Sequence, residues 1–305
     1  MRQAWAIHGW LRRGREFVEL FALPMFCALL PWKFTLRLLR FLSRYPWWFR
    51  AEVAASTTFA HRAGVAPDQA AFARRLRWRL LIEHMDCYLV PLRGHGYLQR
   101  YLRHEGDALP EHGPLVLIGS HYGCGYWFLP YMREAGFPPS IAAPQLGPLL
   151  SRSSLQENIY VRLRHKLLRI AAGTPLVYRG EGRATAVLGE LLDSGRTGFG
   201  LCDMPTSRRD AVEVTLCGRR TRLAQNMYEL ARAHRATIMI FHSDTDLATG
   251  ERRIRFRRLP DDMTPIECTR AFAEMLDSAI AADPSGWRFW SIAPSFFPEL
   301  AHEAA

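Results

Sequence analysis

The fold of this chain is decided by the stretch Leu115-Val-Leu-Ile-Gly-Ser-His-Tyr-Gly-Cys-Gly-Tyr-Trp-Phe-Leu129. Its first four residues form an apolar run of the length of one buried strand, and Gly113 and Pro114 precede it. Three glycines then permit a tight turn around His121. In open α/β sheets ligands bind at the carboxyl ends of strands, where accessible loops are held by a rigid sheet. The stretch predicts a buried strand and a turn in which His121 either acts on a ligand or merely caps the strand.

The rest of the chain alternates strand-like and helical segments, which predicts an α/β fold with a mixed, mostly parallel sheet flanked by helices. Strands are expected at residues 115–118, 141–143, 176–178, 199–202, 212–217, 237–242 and 253–259, the last at a sheet edge. Helices are expected at residues 67–90, 97–104, 127–135, 155–172, 184–193, 223–234 and 265–282. No internal repeat interrupts this order, so residues 61–305 are expected to form one α/β domain behind an N-terminal helical segment, residues 1–60.

That N-terminal segment has a composition of its own, because tryptophans and arginines lie on both sides of an apolar run at residues 21–32. The run is shorter than the ~20 residues that a helix needs to cross a bilayer. Aromatic rings and guanidinium groups around a short apolar run are typical of a helix that lies at a membrane surface and contacts anionic lipid. The segment is therefore interpreted as a membrane anchor, with an amphipathic helix packed on the protein's own core as the alternative.

The charge of the chain favours anionic partners, since 40 basic residues stand against 29 acidic ones and only two of the basic residues are lysines. Guanidinium groups bind phosphate and carboxylate in a bidentate manner. The predicted helix at residues 155–172 is the candidate for docking an acidic carrier protein or an anionic head group, through Arg162, Arg164, Lys166 and Arg169. No nucleic-acid-binding motif is present, and the scattered cysteines show no spacing typical of a metal site or a disulfide framework.

The chain combines a Trp/Arg-rich N-terminal helix, a strand that ends in Ser-His-Tyr-Gly at 120–123, a helix that follows Arg-Gly-Glu-Gly-Arg at 179–183, a strand that ends at Asp203, and the closing Asp-Pro-Ser-Gly-Trp-Arg-Phe-Trp at 283–290. Together these motifs resemble the bacterial lipid A biosynthesis acyltransferases, which belong to the lysophospholipid acyltransferase superfamily. The resemblance implies the fold of glycerolipid acyltransferases and a position on the cytoplasmic face of the bacterial inner membrane.

The family signature is a histidine followed five residues later by an aspartate or glutamate. The resemblance implies that His121 deprotonates an acceptor group that attacks an acyl thioester, while a carboxylate orients the imidazole. Position 126 of this chain is a tyrosine instead. Three side chains are candidates for the orienting role: Tyr126 itself, Asp203 at the end of a neighbouring strand, and Glu181.

The resemblance also implies substrates and further site residues. The donor would be an acyl-carrier protein or acyl-CoA, with the phosphopantetheine thioester as co-substrate and no resident cofactor or metal, and the acceptor a hydroxyl or amine of a lipid or saccharide. Arg179 and Arg183 are candidates for phosphate binding, and Ser120 for substrate binding. Cys124 is an alternative nucleophile that would form a covalent acyl-enzyme. A catalytically degenerate homologue that binds lipid or an assembly partner is the competing hypothesis, because the motif acid is missing.

Overall fold

The computed structural model describes residues 12–123, 126–143, 154–178, 183–206 and 208–302. The strands in these ranges are β1 (Leu102–Gly106), β2 (Leu115–Gly119), β3 (Pro139–Ala143), β4 (Val177–Tyr178), β5 (Thr197–Leu201), β6 (Val212–Leu216), β7 (Arg219–Leu223), β8 (Thr237–Thr245) and β9 (Arg252–Arg258). The α-helices are α1 (Leu23–Leu29), α2 (Trp32–Leu42), α3 (Arg50–Arg62), α4 (Gln69–Tyr101), α5 (Phe128–Glu134), α6 (Leu155–Ala172), α7 (Arg183–Asp193), α8 (Asn226–Ala233), α9 (Pro265–Ala282) and α10 (Glu299–His302). A π-helix covers Val18–Ala22, and 3₁₀ helices cover Pro284–Gly286 and Arg288–Ser295.

Seven of the strands form one mixed sheet in the order β1-β9-β8-β2-β5-β3-β4, and helices flank it. The five strands from β8 to β4 run parallel, while β9 pairs antiparallel with β8 and parallel with β1. Strands β6 and β7 form a separate hairpin. The expected mixed α/β fold with a mostly parallel, helix-flanked sheet is therefore confirmed.

Strand β2 lies at the centre of the sheet and is buried along its whole length. Leu115 to Ile118 are each 0% exposed, as expected for a parallel strand that helices cover on both faces. The turn after β2 consequently starts from a fully buried strand.

Three segments differ from the sequence-based expectation. Strand β9 is not an edge strand, because β1 pairs along its outer side. The sequence pattern of β1 itself had indicated a helix. The hairpin strand β7 was not predicted, and the helix expected from residue 223 begins only at Asn226. Pro91 was expected to end the preceding helix, yet α4 continues beyond it and bends at Gly94, whose φ of 33° and ψ of −122° are not helical.

The N-terminal helices pack against α4, with Cys27, Trp32 and Leu39 buried in the shared core. The Glu19 carboxylate accepts a hydrogen bond of 2.9 Å from the backbone N–H of Phe49, which links the first described helical turns to the start of α3. In the described part of the chain no helix is both long enough and apolar enough to cross a membrane.

A buried ion pair joins α4 to the sheet. The Arg252 guanidinium of β9 donates to the Asp86 carboxylate of α4, and the two side chains are 1% and 0% exposed. Arg252 also lies 4.3 Å from the ring of Trp32 and 5.5 Å from that of Trp127. One guanidinium thus connects the N-terminal helices, α4, the sheet and the turn that precedes α5, with cation–π contacts that supplement the ion pair.

Replacing Asp86 by alanine is expected to lower the free energy of unfolding by about 3–5 kcal/mol, because it leaves a buried guanidinium without its charge partner. The double variant Asp86→Leu/Arg252→Met is expected to be less destabilised than Asp86→Ala, since it buries no unpaired charge. Urea unfolding followed by circular dichroism measures both. If the double variant is as unstable as Asp86→Ala, the unpaired buried charge is not the cause of the lower free energy of unfolding.

Candidate active site

The carboxyl ends of β2 and β5 place two polar side chains next to each other. These strands pair in parallel with Gly119 opposite Leu201, and His121 and Asp203 each follow two residues later. The backbone N–H of Cys202 donates to the carbonyl of Gly119 at 3.1 Å and so continues the ladder past the last strand pair. The register of two neighbouring strands therefore brings together residues that are 82 positions apart.

The Asp203 carboxylate holds His121 through two contacts. One oxygen lies 2.7 Å from the ring Nδ1, and the other accepts a hydrogen bond of 2.7 Å from the backbone N–H of the same residue. The indole Nε1 of Trp287 donates to the second oxygen at 3.2 Å. Asp203 is 0% exposed, whereas the His121 side chain is 30% exposed. A buried carboxylate that occupies Nδ1 fixes the orientation of the imidazole and leaves Nε2 as the ring nitrogen for chemistry.

The segment around Trp287 pairs with the histidine turn from the opposite side. Tyr122 and Trp287 form an antiparallel bridge, in which the N–H of Gly123 donates to the carbonyl of Gly286 and the N–H of Arg288 donates to that of His121, each at 2.9 Å. These backbone bonds hold the turn in place before any ligand binds.

Two further contacts restrict the same turn. The Phe289 ring lies 4.3 Å from the imidazole of His121. Gly123 has a φ of 67°, and a Cβ at this position would lie 1.8 Å from the carbonyl oxygen of Ser243 in β8. Any side chain at position 123 would push the turn off the sheet, so glycine is required there for close backbone approach as well as for its φ.

Asp283 anchors the segment that carries Trp287. Its carboxylate accepts hydrogen bonds from Arg79 at 2.5 Å, from Arg75 at 2.6 Å and from the Ser285 hydroxyl at 2.7 Å. Burial by itself would raise the pKa of this carboxyl group, but the contacts with Arg79, Ser285 and Arg75 lower it to about 2. Asp283 is therefore charged at neutral pH and ties the closing motif to α4.

A cavity of about 330 Å³ opens beside His121. Its walls are mainly apolar, and the lining side chains include Phe128, Leu129, Ile141, Leu168, Phe199, Leu201, Met204 and Phe241. Its volume falls at the lower end of the range of small-molecule sites. The cavity thus joins a hydrogen-bonded histidine to an apolar compartment.

A charged cluster forms the polar part of the cavity wall. Glu83 accepts hydrogen bonds from Arg164 at 3.1 Å and from Arg288 at 2.6 Å, and Arg288 also donates to Glu52 at 2.9 Å. Burial would raise the pKa of Glu83, but the two guanidinium groups lower it below its ordinary value. The cavity is therefore lined by two cations around one shared carboxylate.

A neutral histidine lies behind this cluster. His84 Nδ1 is 2.7 Å from the hydroxyl of Tyr160, and its ring stacks on Phe49 at 4.8 Å. Burial lowers the pKa of His84 to about 3, so the ring adds no positive charge next to the two arginines. Glu83, His84 and Arg288 were not among the predicted site residues. For Glu83 and His84 the reason is that nothing in a helical pattern distinguishes charges that point inward from solvated ones.

The candidate residues next to His121 occupy different positions. Tyr126 is 3% exposed and lines the cavity, but its hydroxyl accepts a hydrogen bond of 3.3 Å from Cys87, and Arg164 lies 5.3 Å from its ring. Since Asp203 occupies the Nδ1 of His121, Tyr126 is a wall residue of the cavity in this structure and not the group that orients the ring. Ser120 also lines the cavity, and its buried Oγ has no hydrogen-bond partner among the described residues.

The remaining candidates lie elsewhere. Arg183 is exposed at the start of α7 and lines a different, shallower cavity beside Tyr178. Cys124, Arg179 and Glu181 lie outside the described residues. In the basic helix α6, Arg162, Lys166 and Arg169 are exposed, whereas Arg164 faces the cavity. Within the described ranges, no cluster of three or more His, Cys, Asp or Glu side chains could hold a metal ion.

No protein-family model matches this sequence, and neither does any curated protein.

The Asp283 anchor gives the stability of the protein a specific pH dependence. Because the folded-state pKa is lowered to about 2, the contribution of this group is fully present above its ordinary pKa near 4 and is lost as the pH falls towards 2. The loss is expected to reach about 2 kcal/mol. Urea unfolding of the intact protein and of Asp283→Asn, from pH 5 to pH 2, should show a stability difference that shrinks over that range. A stability difference that stays constant from pH 5 to pH 2 would contradict the lowered pKa of Asp283.

Proposed function

We propose that the protein is a membrane-surface acyltransferase that moves an acyl group from an acyl-carrier protein or acyl-CoA to a hydroxyl or amine of a lipid- or saccharide-like acceptor. The observation that carries this proposal is the contact between His121 and the buried carboxylate of Asp203 at the mouth of an apolar cavity. The resemblance of the motifs around His121 and Trp287 to lipid A biosynthesis acyltransferases favours the same reaction.

Nε2 of His121 is the base in the proposed reaction. It takes the proton of the acceptor hydroxyl as the hydroxyl oxygen bonds to the thioester carbonyl carbon, and Asp203 stabilises the imidazolium that forms. The tetrahedral intermediate then collapses, the carbon–sulfur bond breaks, and the proton passes from the imidazolium to the leaving thiolate. The products are an ester of the acceptor and the free thiol of the donor.

The Asp203 contact also bears on the competing hypothesis of a degenerate binding protein. That hypothesis depended on the missing acid at position 126, and a carboxylate now lies 2.7 Å from the imidazole from another strand. An orienting group for the base is thus present, which favours an enzyme over a binding protein.

The shape and polarity of the cavity suit the proposed substrates. Its aromatic and aliphatic walls suit the binding of an acyl chain. Burying each methylene group of that chain contributes about 0.8 kcal/mol to the free energy of binding. Arg164 and Arg288 would face a polar or anionic part of a substrate near His121, since both also line the cavity.

The N-terminal helices support the proposed position on the cytoplasmic surface of the inner membrane. They bury one face against α4 and expose large apolar side chains on others, each between 37% and 62% accessible: Phe17, Val18, Met25, Phe26, Leu29, Phe34, Phe41, Tyr45 and Trp47. Arg37 and Arg40 are exposed along α2, and Arg44 is exposed just after its end. Apolar side chains interspersed with cations are what an interfacial helix presents to anionic lipid.

Catalysis is tested by three single substitutions assayed for thiol release from acyl-CoA or acyl-carrier protein in the presence of extracted membrane lipids. His121→Ala is expected to remove nearly all transfer, and Asp203→Asn to lower the rate by about 10⁴-fold, because the imidazole loses its orienting anion. Tyr126→Phe is the matched control inside the same cavity and should cost no more than about tenfold, the value of one neutral hydrogen bond.

Thermal unfolding verifies that each variant is folded, and product analysis separates transfer from simple hydrolysis of the thioester. If His121→Ala transfers acyl groups as fast as the intact protein, the catalytic proposal is wrong and the binding protein is the better interpretation.

Membrane attachment is tested by the triple variant Phe26→Ser/Phe34→Ser/Phe41→Ser, which removes apolar area from the exposed faces of α1 and α2. It should move the protein from the membrane pellet to the supernatant after cell fractionation, since less apolar surface is buried in the interface. The control is Val187→Ser/Ile266→Ser/Ile292→Ser, which alters three apolar residues on other elements that are 38% to 45% exposed. If the two triple variants are found in the membrane pellet to the same extent, the membrane attachment lies elsewhere in the protein.

A further inference from the structure

A second concave site lies away from His121, between the α1–α2 junction and the second half of α4, with a volume of about 780 Å³. Three cations line it, namely Lys33, Arg93 and Arg100, and no acidic residue does so among the described residues. This balance differs from that of the neighbouring surface, where Arg103 pairs with Glu251 and Arg253 with Asp246. Three unneutralised cations in one groove raise the local positive potential and favour an anionic ligand.

Arg93 is held in position by the backbone. Its Nε donates to the carbonyl of Ala28 at 3.0 Å, and its Nη2 donates to those of Leu29 and Leu30 at 2.8 and 3.1 Å. These carbonyls belong to the end of α1, where a cation is favoured. The remaining amino group, Nη1, has no hydrogen-bond partner in the described part of the chain, so the guanidinium can donate to a ligand without losing its support.

Aromatic rings form the floor of the groove. The Trp32 ring lies between the guanidinium of Arg252, at 4.3 Å, and the backbone of Gly250, where a Cβ would lie only 2.1 Å from the ring. Tyr97 meets Trp32 edge to face at 5.8 Å, and Tyr101 lies 4.5 Å from Tyr97. The floor is therefore rigid before a ligand binds.

Two leucines contribute exposed, large apolar side chains to the lining. Leu29 is 62% exposed and Leu92 is 54% exposed. Apolar side chains that project into solvent next to a cationic groove make no favourable contact with a free anion in water. They match the boundary of a bilayer, where phosphates and acyl chains lie within a few ångströms of each other.

We propose that this groove binds the phosphate of an anionic phospholipid, with Lys33, Arg93 and Arg100 around the head group and Leu29 and Leu92 among the acyl chains. The inference rests on the membrane-surface part of the proposed function and is independent of catalysis at His121. It adds a defined lipid site to the general apolar surface of the N-terminal helices and fixes one point at which the protein meets the bilayer.

The experiment measures co-sedimentation of the full-length protein with vesicles of phosphatidylcholine, with and without phosphatidylglycerol. The variant Lys33→Gln/Arg100→Gln removes two groove charges and keeps Arg93, which supports the backbone. Binding to the anionic vesicles should weaken by about 30-fold, the effect of two interfacial cations. Arg209→Gln/Arg257→Gln is the matched control, since it removes two exposed arginines outside the groove. It should weaken binding by no more than a few-fold, because distant charges are screened.

Equal losses in the two double variants would show diffuse attraction to the whole basic surface and would overturn the groove assignment. A second variant, Leu29→Ser/Leu92→Ser, tests the lipid as the source of the phosphate. It should weaken binding to both kinds of vesicle, and unchanged binding would mean that the groove does not enter a bilayer. Each variant is expected to melt at the temperature of the intact protein, since the altered side chains are exposed.

Failure of this proposal is distinguishable from failure of the proposed catalysis. Vesicle binding is measured equally well with His121→Ala, and thiol release from acyl-CoA is measured with the groove variant. If the groove variant loses its preference for anionic vesicles but still releases thiol from acyl-CoA, the groove acts in membrane binding and not in catalysis.

Discussion

The parallel pairing of β2 with β5 is the constraint on which the candidate site depends. Gly119 and Leu201 are opposite each other at the end of this pair, and the chain leaves both strands in the same direction. A shift of the register by one residue would reverse the faces of β5 and carry Asp203 away from His121. Since β5 is buried on both faces, such a shift would also displace its core side chains. The hydrophobic core therefore fixes the distance between the two polar residues.

Supplying the carboxylate from a neighbouring strand has an electrostatic consequence. Asp203 is fully buried and is surrounded by three N–H donors, from the backbone and ring of His121 and from Trp287. With little water around the buried carboxylate, its interaction with an imidazolium is strengthened. Position 126, five residues after the histidine, therefore does not need to hold the acid that orients the ring. Its tyrosine lines the cavity and contacts Arg164.

Sequence reasoning was most accurate where a local pattern determines structure. The β2 strand and the helices α6 and α9 follow from apolar runs and helical periodicity, and all three are present. The order of strands does not follow from such patterns, so the place of β9 inside the sheet was predicted wrongly.

The same limit applies to the site. Asp203 could be considered as a partner of His121 because it ends a strand, but choosing it over Tyr126 or Glu181 requires the register. The donor role of Trp287 depends on a contact across 84 residues, which no local signal encodes.

The bridge between Tyr122 and Trp287 bears on how the protein folds. The contacts that immobilise the histidine turn join distant parts of the chain, as when the Tyr122 hydroxyl donates to the carbonyl of Asp283 across 161 residues. Closing a loop of that length costs more conformational entropy than forming the local helices, so we expect these contacts to form after the helices. A partly folded chain would then have its local helices but no ordered histidine turn. Under the proposed function, competence for acyl transfer would arise only once these distant segments had met.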